Sequence, residues 1–380
     1  MNNMKETLIA LSLSLCVGLG LTSCSQKALP VEGEGYSIES AQRFMEMARQ
    51  AMDGNQPTEE DWRALFATKG YHTFFIVWNW TDSTKWQRNI RNGFDLAFNP
   101  ARKAQLDSIV AHPLGAESAD EDFFTYNFYL TKQRFDELDK FIHTADFDQV
   151  MRQAHERVLQ FLPVGADTLD LPPMKCYYLA FDPEGRTGNG VIFYDYNTAF
   201  EDGTEGLVNG VAHELHHQYM GLLMNTRFRK DSDDAALIAI VRNQLEGAAD
   251  LINKGKMPVD RLGAYGPEIV KMYNDDYFDS PNVLRQLDSL TCGYLAGTID
   301  VKQYQAAAEC AHFEGHTTGD YMVFLIRDKL GKQAVIDCLA DFPAFVLRYN
   351  EAARKAGTYV FSDTFVQHID SICADLQESE

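Results

Sequence analysis

His213-Glu214-Leu215-His216-His217 is the stretch of this 380-residue chain whose residue types and spacing imply a specific chemistry. On an α-helix, residues four apart share a face, so the imidazoles of His213 and His217 can close on one metal ion with Glu214 beside it. Zinc held by neutral nitrogens lowers the pKa of its bound water to about 7, and a neighbouring carboxylate can take the proton as the water attacks a carbonyl. Metal-assisted hydrolysis is the chemistry to expect.

A helix must position these residues, and the flanking sequence supplies one. Leu207, Val211, Leu215, Tyr219 and Leu222 form one apolar stripe for the core, while His213 and His217 fall on another strip with Gly210 and Met220. Gly210 has no side chain and invites another segment close. His216 points about 100° away and reads as structural rather than as a ligand. Catalytic zinc also needs a third protein ligand. Glu246, 29 residues past His217, lies in an apolar-periodic run from Ala235 to Asn253, with Ser232 and Asp233 as N-cap candidates and Gly255 and Pro258 at its end. Glu246 and Asp250 share a face there. The first can bind metal while the second hydrogen-bonds the free nitrogen of a ligating histidine. The blander reading, an exposed acidic pair, sits badly with Leu245, Ala248, Ala249, Leu251 and Ile252 around it.

The pairing of His213-Glu214-x-x-His217 with a later Glu246-x-x-x-Asp250 resembles the gluzincins, metallopeptidases whose third zinc ligand is a glutamate. From about Leu171 to Gly331 the chain is similar to zinc-dependent peptidases found among Bacteroidetes lipoproteins. The resemblance implies a zincin-like lobe, with a mixed sheet whose edge strand binds an extended substrate over the motif helix. Carried over by position, it makes His213, His217 and Glu246 the ligands of Zn2+, Glu214 the base and Asp250 the carboxylate behind a ligand. The spacing from His217 to Glu246 is longer than in many gluzincins, with a loop expected over Asn225 to Asp234. Gluzincins also place a His or Tyr after the third ligand to stabilise the oxyanion. His316 and Tyr321 are the candidates, with Tyr294 a further one.

Along the chain, residues 1–23 read as a targeting segment, and Leu21-Thr22-Ser23-Cys24 resembles a lipobox, so Cys24 is the expected lipidation site and residues 24–35 a tether. Residues 36–168 read as a helical N-terminal region and residues 169–380 as the zincin-like catalytic region. Ser37 can cap a helix running to Met52, and helical runs cover Glu59 to Thr68, Pro100 to Ala111, Lys132 to His143 and Phe147 to Leu162. Tyr71 to Trp80 fits a strand or a buried helical turn, and its tryptophans fit core better than a substrate groove. Met174 to Phe181 and Asn189 to Asn197 read as strands of a hairpin joined through Pro183 to Gly188, and the resemblance makes Asn189 to Tyr194 the candidate substrate-binding edge. Helices follow near Gly266 to Asn274, Pro281 to Leu295, Val301 to Ala311 and Gly319 to Leu330. His312 and His316 are again four apart, but Gly315 and Gly319 favour a polar loop over a second metal pair. Beyond Cys16 and Cys24 five cysteines remain, an odd number that leaves at least one free thiol; none has C-x-x-C spacing, and Cys338 and Cys373, among apolar residues at helical spacing, are expected as buried free thiols.

The net charge of −21 argues against nucleic acid as a partner. The reading is an α+β, mostly helical, cell-envelope lipoprotein, facing the periplasm from a membrane through its lipid anchor at Cys24, that hydrolyses peptide bonds of a peptide or protein substrate. Its rival is a non-catalytic lipoprotein that keeps the fold as a binding or assembly module. Hydrolysis of a non-peptide amide or ester is a third option.

Overall fold

In the computed structural model, residues 35–78, 83–112, 114–115, 118–229, 232–262 and 265–377 are described. The expected signal segment, Cys24 and nearly all of the tether lie outside them, as does Trp80. The described architecture is α+β and mostly helical, as the periodicity implied. A short strand β1 (Tyr36–Ser37) precedes helices α1 (Glu39–Met52), α2 (Glu59–Phe66), α3 (Lys69–Val77), α4 (Ser83–Phe98), α5 (Lys103–Val110), α6 (Asp120–Gln133), α7 (Phe135–Thr144) and α8 (Phe147–Val158). Strands β2 (Lys175–Leu179), β3 (Gly185–Gly188) and β4 (Val191–Asp195) follow. The rest is helical: α9 (Tyr196–Arg227), α10 (Ala235–Asn253), α11 (Pro267–Leu295), α12 (Val301–Tyr304), α13 (His316–Leu330), α14 (Lys332–Ile336), α15 (Phe342–Ala356) and α16 (Asp363–Gln377). One hydrophobic core runs from Ala41 to Cys373 and takes in residues of every region.

The sheet order is β1-β2-β4-β3, with β1, β2 and β4 parallel and β3 antiparallel to β4. This corrects the expected hairpin: β2 and β4 are parallel neighbours, and the segment read as their turn contains the edge strand itself. The true hairpin is β3–β4, turned by Asn189 and Gly190, both at positive φ (49° and 77°), as a two-residue type I′ connection requires. Of the expected edge Asn189 to Tyr194, the first two residues are the turn and Val191 to Tyr194 is interior, so β3 holds the edge beside the motif helix. Packing decides one open alternative and moves one expectation. Tyr71 to Val77 is helical, burying Tyr71, Phe74 and Phe75. Pro281 lies inside α11 instead of starting a helix, because Ile269, Tyr273, Val283, Leu284 and Leu287 on either side of it are buried together.

β4 runs straight into α9. Asp195 caps it by accepting from the Thr198 amide at 2.8 Å. The helix breaks at Gly203 (φ 63°), so the motif sits in its second part, where Leu207, Val211, Leu215 and Tyr219 are buried. Asp234, not Ser232 or Asp233, caps α10 through the Leu237 amide at 2.9 Å. Helix α13 starts after three consecutive residues at positive φ, Phe313 (47°), Glu314 (60°) and Gly315 (105°).

α10 and α13 cross with backbone against backbone. A Cβ on Gly247 would fall on the Gly319 peptide, and one on Gly319 would fall on the Asn243 carbonyl. Gly247→Ala is expected to cost about 1–3 kcal/mol by overpacking. Gly221→Ala on α9, where a Cβ meets nothing within 4 Å, should be neutral or stabilise by up to about 1 kcal/mol. Urea unfolding of the two variants checks both signs.

Candidate metal centre

His213 and His217 stand one turn apart on α9, both buried, with their Nε2 atoms 3.0 Å apart. Glu246 reaches them from α10, its Oε2 3.3 Å from His217 Nε2 and 3.7 Å from His213 Nε2. Among the described residues these three form the group whose donor atoms all lie within 4.8 Å of one another. Tetrahedral zinc with bonds of 2.0–2.1 Å sets neighbouring ligand atoms about 3.3 Å apart, and the three observed separations bracket that value. The donor set therefore fits zinc in number, type and spacing.

Glu214 turns from the ligands toward the edge strand. Its Oε1 lies 2.8 Å from where a Cβ on Gly185 would sit, so only glycine lets β3 run this close to the carboxylate. Burial pushes the Glu214 carboxyl above the usual range, against the pull of His213 and His217. Gly210 does what its position implied: it makes room for the Tyr194 hydroxyl, which donates to Asp202 Oδ2 at 2.8 Å. His216 is fully buried on another side and pushed down to about 3 by burial and by the neighbouring histidines, so it stays neutral and outside the donor set.

Asp250 occupies the place expected of a carboxylate behind a ligand. Its Oδ1 is 3.2 Å from His213 Nδ1, and its Oδ2 accepts from His316 Nδ1 at 2.6 Å. Burial alone would raise both acids and lower His213. Lys254 and the His316 ring beside Asp250, and the His217 and His316 rings beside Glu246, outweigh it and hold both carboxyls well below their usual range. Asp250 and Glu246 likewise draw His213 above its usual value.

His316 opens α13 and brings its Nε2 to 3.4 Å from Glu246 Oε2, at the wall of a cleft of about 690 Å³ that Glu214 also lines. The structure does not bring Tyr321 there: its hydroxyl is 2.7 Å from Thr358 Oγ1 and its ring packs on Tyr277 and Tyr349. Tyr294 stacks on Tyr304 at 4.3 Å and is not part of the cleft wall. His312 pairs with Asp276 at 2.7 Å, across the left-handed turn from His316, so the two histidines do not face one ion.

Sequence reasoning missed Lys254, Tyr273 and Asp320. Lys254 lies one turn beyond Asp250 and salt-bridges to its Oδ2. It also donates to the Tyr273 hydroxyl at 2.6 Å, which in turn donates to Asp320 Oδ2 at 2.8 Å. The i,i+4 pair Asp250 and Lys254 was the available signal. Reasoning also missed Arg186 of β3, which lies against Trp78 and Trp86 and pairs with Asp182 at 2.5 Å and Glu184 at 2.8 Å. The tryptophans thus brace the edge strand, and Trp78 also borders the cleft.

A family model described as "Putative zinc dependent peptidase (DUF5700)" matches residues 62–358, so the chain belongs to that family. No curated protein and no solved structure matches it.

Metal content tests the donor set. The full chain should bind about one zinc per molecule, Glu246→Ala should lose or greatly weaken it, and His316→Ala should retain it. Equal zinc in wild type and Glu246→Ala would remove Glu246 from the centre.

Proposed function

We propose that this chain is a zinc-dependent peptidase of the cell envelope that hydrolyses peptide bonds. The observation that carries the reading is Glu214: buried in the cleft, excluded from the donor set, and adjacent in sequence to one of the proposed ligands. A zinc ion held by His213, His217 and Glu246 would acidify a water and polarise the scissile carbonyl.

The chain's own groups would do the rest. Antiparallel pairing of β3 with β4 joins Gly188 to Val191 and Arg186 to Phe193, so the backbone groups of Gly185 and Thr187 point off the sheet edge. A substrate in extended form would add there as a further strand, which favours peptide over small amides or esters. The Gln218 side chain, 2.7 Å from Thr187 Oγ1, ties that edge to the motif helix. Glu214 would take the proton of the attacking water and return it to the leaving amine. His316, oriented by Asp250, would hydrogen-bond the carbonyl oxygen as negative charge develops on it.

For location we propose export with lipidation at Cys24 and a periplasm-facing attachment to the outer membrane. The support is the lipobox-like Leu21-Thr22-Ser23-Cys24 and the lack of an acidic run directly after it. Among the described residues no helix is long and apolar enough to cross a membrane.

Cleavage of an unstructured protein such as casein, blocked by a chelator and restored by zinc, is the expected result. Glu214→Gln should keep its zinc and lose at least about 100-fold in turnover. A Glu214→Gln variant that cleaves as wild type does would overturn the mechanism. Zinc binding without any cleavage would instead favour a binding or assembly module.

A further inference from the structure

Lys254 is held where a lysine is expensive to place. Its ammonium is almost enclosed, with the side chain 12% exposed, and it is surrounded by Asp250, Tyr273, Asp320 and His316. The partners differ in what else they touch. Tyr273 and Asp320 bond to each other, whereas Asp250 meets His213 and His316. A carboxylate turned about its χ2 can present either oxygen to either neighbour. The two oxygens are equivalent, so what the ammonium fixes is the plane: the oxygen shared by Lys254 and His316 Nδ1 anchors one edge of the carboxylate, and the other oxygen is held at 3.2 Å from His213 Nδ1.

We propose that Lys254 is a positioning residue for the metal centre, acting through Asp250 to orient the His213 ligand and the His316 ring together. The inference rests on the zinc reading given above, but its effect is on metal affinity and is measurable without turnover. Groups that orient a metal ligand through its second nitrogen typically change affinity or activity 10- to 100-fold. A lysine that served only to neutralise buried acids would not weaken zinc when removed, because loss of a nearby cation favours a metal cation.

The test is a double-mutant cycle on zinc affinity in the full chain, by competition with a chelator of known strength. Asp250→Asn is expected to weaken zinc by about 10- to 100-fold, and Lys254→Met by at least about 10-fold. The double variant should be no weaker than Asp250→Asn alone, because the lysine acts through the aspartate. Wild-type affinity in Lys254→Met, or losses that multiply in the double variant, would overturn the proposal. If Lys254→Met fails to fold, Lys254→Met/Asp320→Asn removes the cation together with one of its carboxylates. It should bind zinc about 10-fold more weakly than Asp320→Asn, and equal affinity would overturn the proposal. A wild-type chain that binds no zinc overturns both this inference and the function reading. A chain that binds zinc but cleaves no peptide overturns only the latter, and the cycle still decides the role of Lys254.

Discussion

The site depends on two helices lying closer than side chains normally allow. Gly247 of α10 meets Gly319 of α13, and Gly315 meets the Arg242 backbone at the same crossing. α10 brings Glu246 and Asp250 to this seam, with Lys254 capping its C-terminal end, and α13 brings His316 and Asp320. A methyl group at the crossing would move one set against the other, and the 2.6 Å bond from His316 to Asp250 has no slack to follow. The left-handed turn at Phe313 and Glu314 costs backbone energy, and it sets the start of α13 so that His316 faces Glu246.

Charge is the second constraint. Glu246, Asp250, Asp320 and His213 are buried together with the nearly enclosed Lys254 ammonium, and each alone would be costly to desolvate. Their arrangement sorts them. Asp250 lies against the ammonium and two imidazoles and stays ionised. Asp320 has the neighbouring Asp250 charge as well as burial against it, and its carboxyl is driven well above the usual range. At the metal centre this leaves Glu246 among the donors, Asp250 behind one of them, and Glu214 set apart on the strand side.

What the sequence makes legible here is what a single helix can encode. The 3.6-residue period puts His213 over His217 and Glu246 over Asp250 without reference to any other segment, and those pairs stand where the period places them. Joining α9 to α10 took a chemical argument, the need for a third ligand. His316 followed only from resemblance, because nothing local says that a residue 66 positions beyond Asp250 will touch it. The same resemblance offered Tyr321, which lies one turn on and faces Thr358. The edge strand went unread because Gly185–Gly188 has no apolar alternation. It is defined by its partner β4 and by Asn189-Gly190, the turn signal that was in the sequence and would have placed it. Pro281 misled in the opposite direction: burial on both flanks outweighs the one backbone bond it removes.

The central claim is that His213, His217 and Glu246 are the protein ligands of one zinc ion. X-ray absorption at the zinc edge of the loaded full chain tests it most directly. The account predicts a shell of nitrogen and oxygen at about 2.0–2.1 Å with the outer-shell scattering of two imidazoles and no sulfur. A sulfur shell near about 2.3 Å, or the signature of a single imidazole, would contradict it.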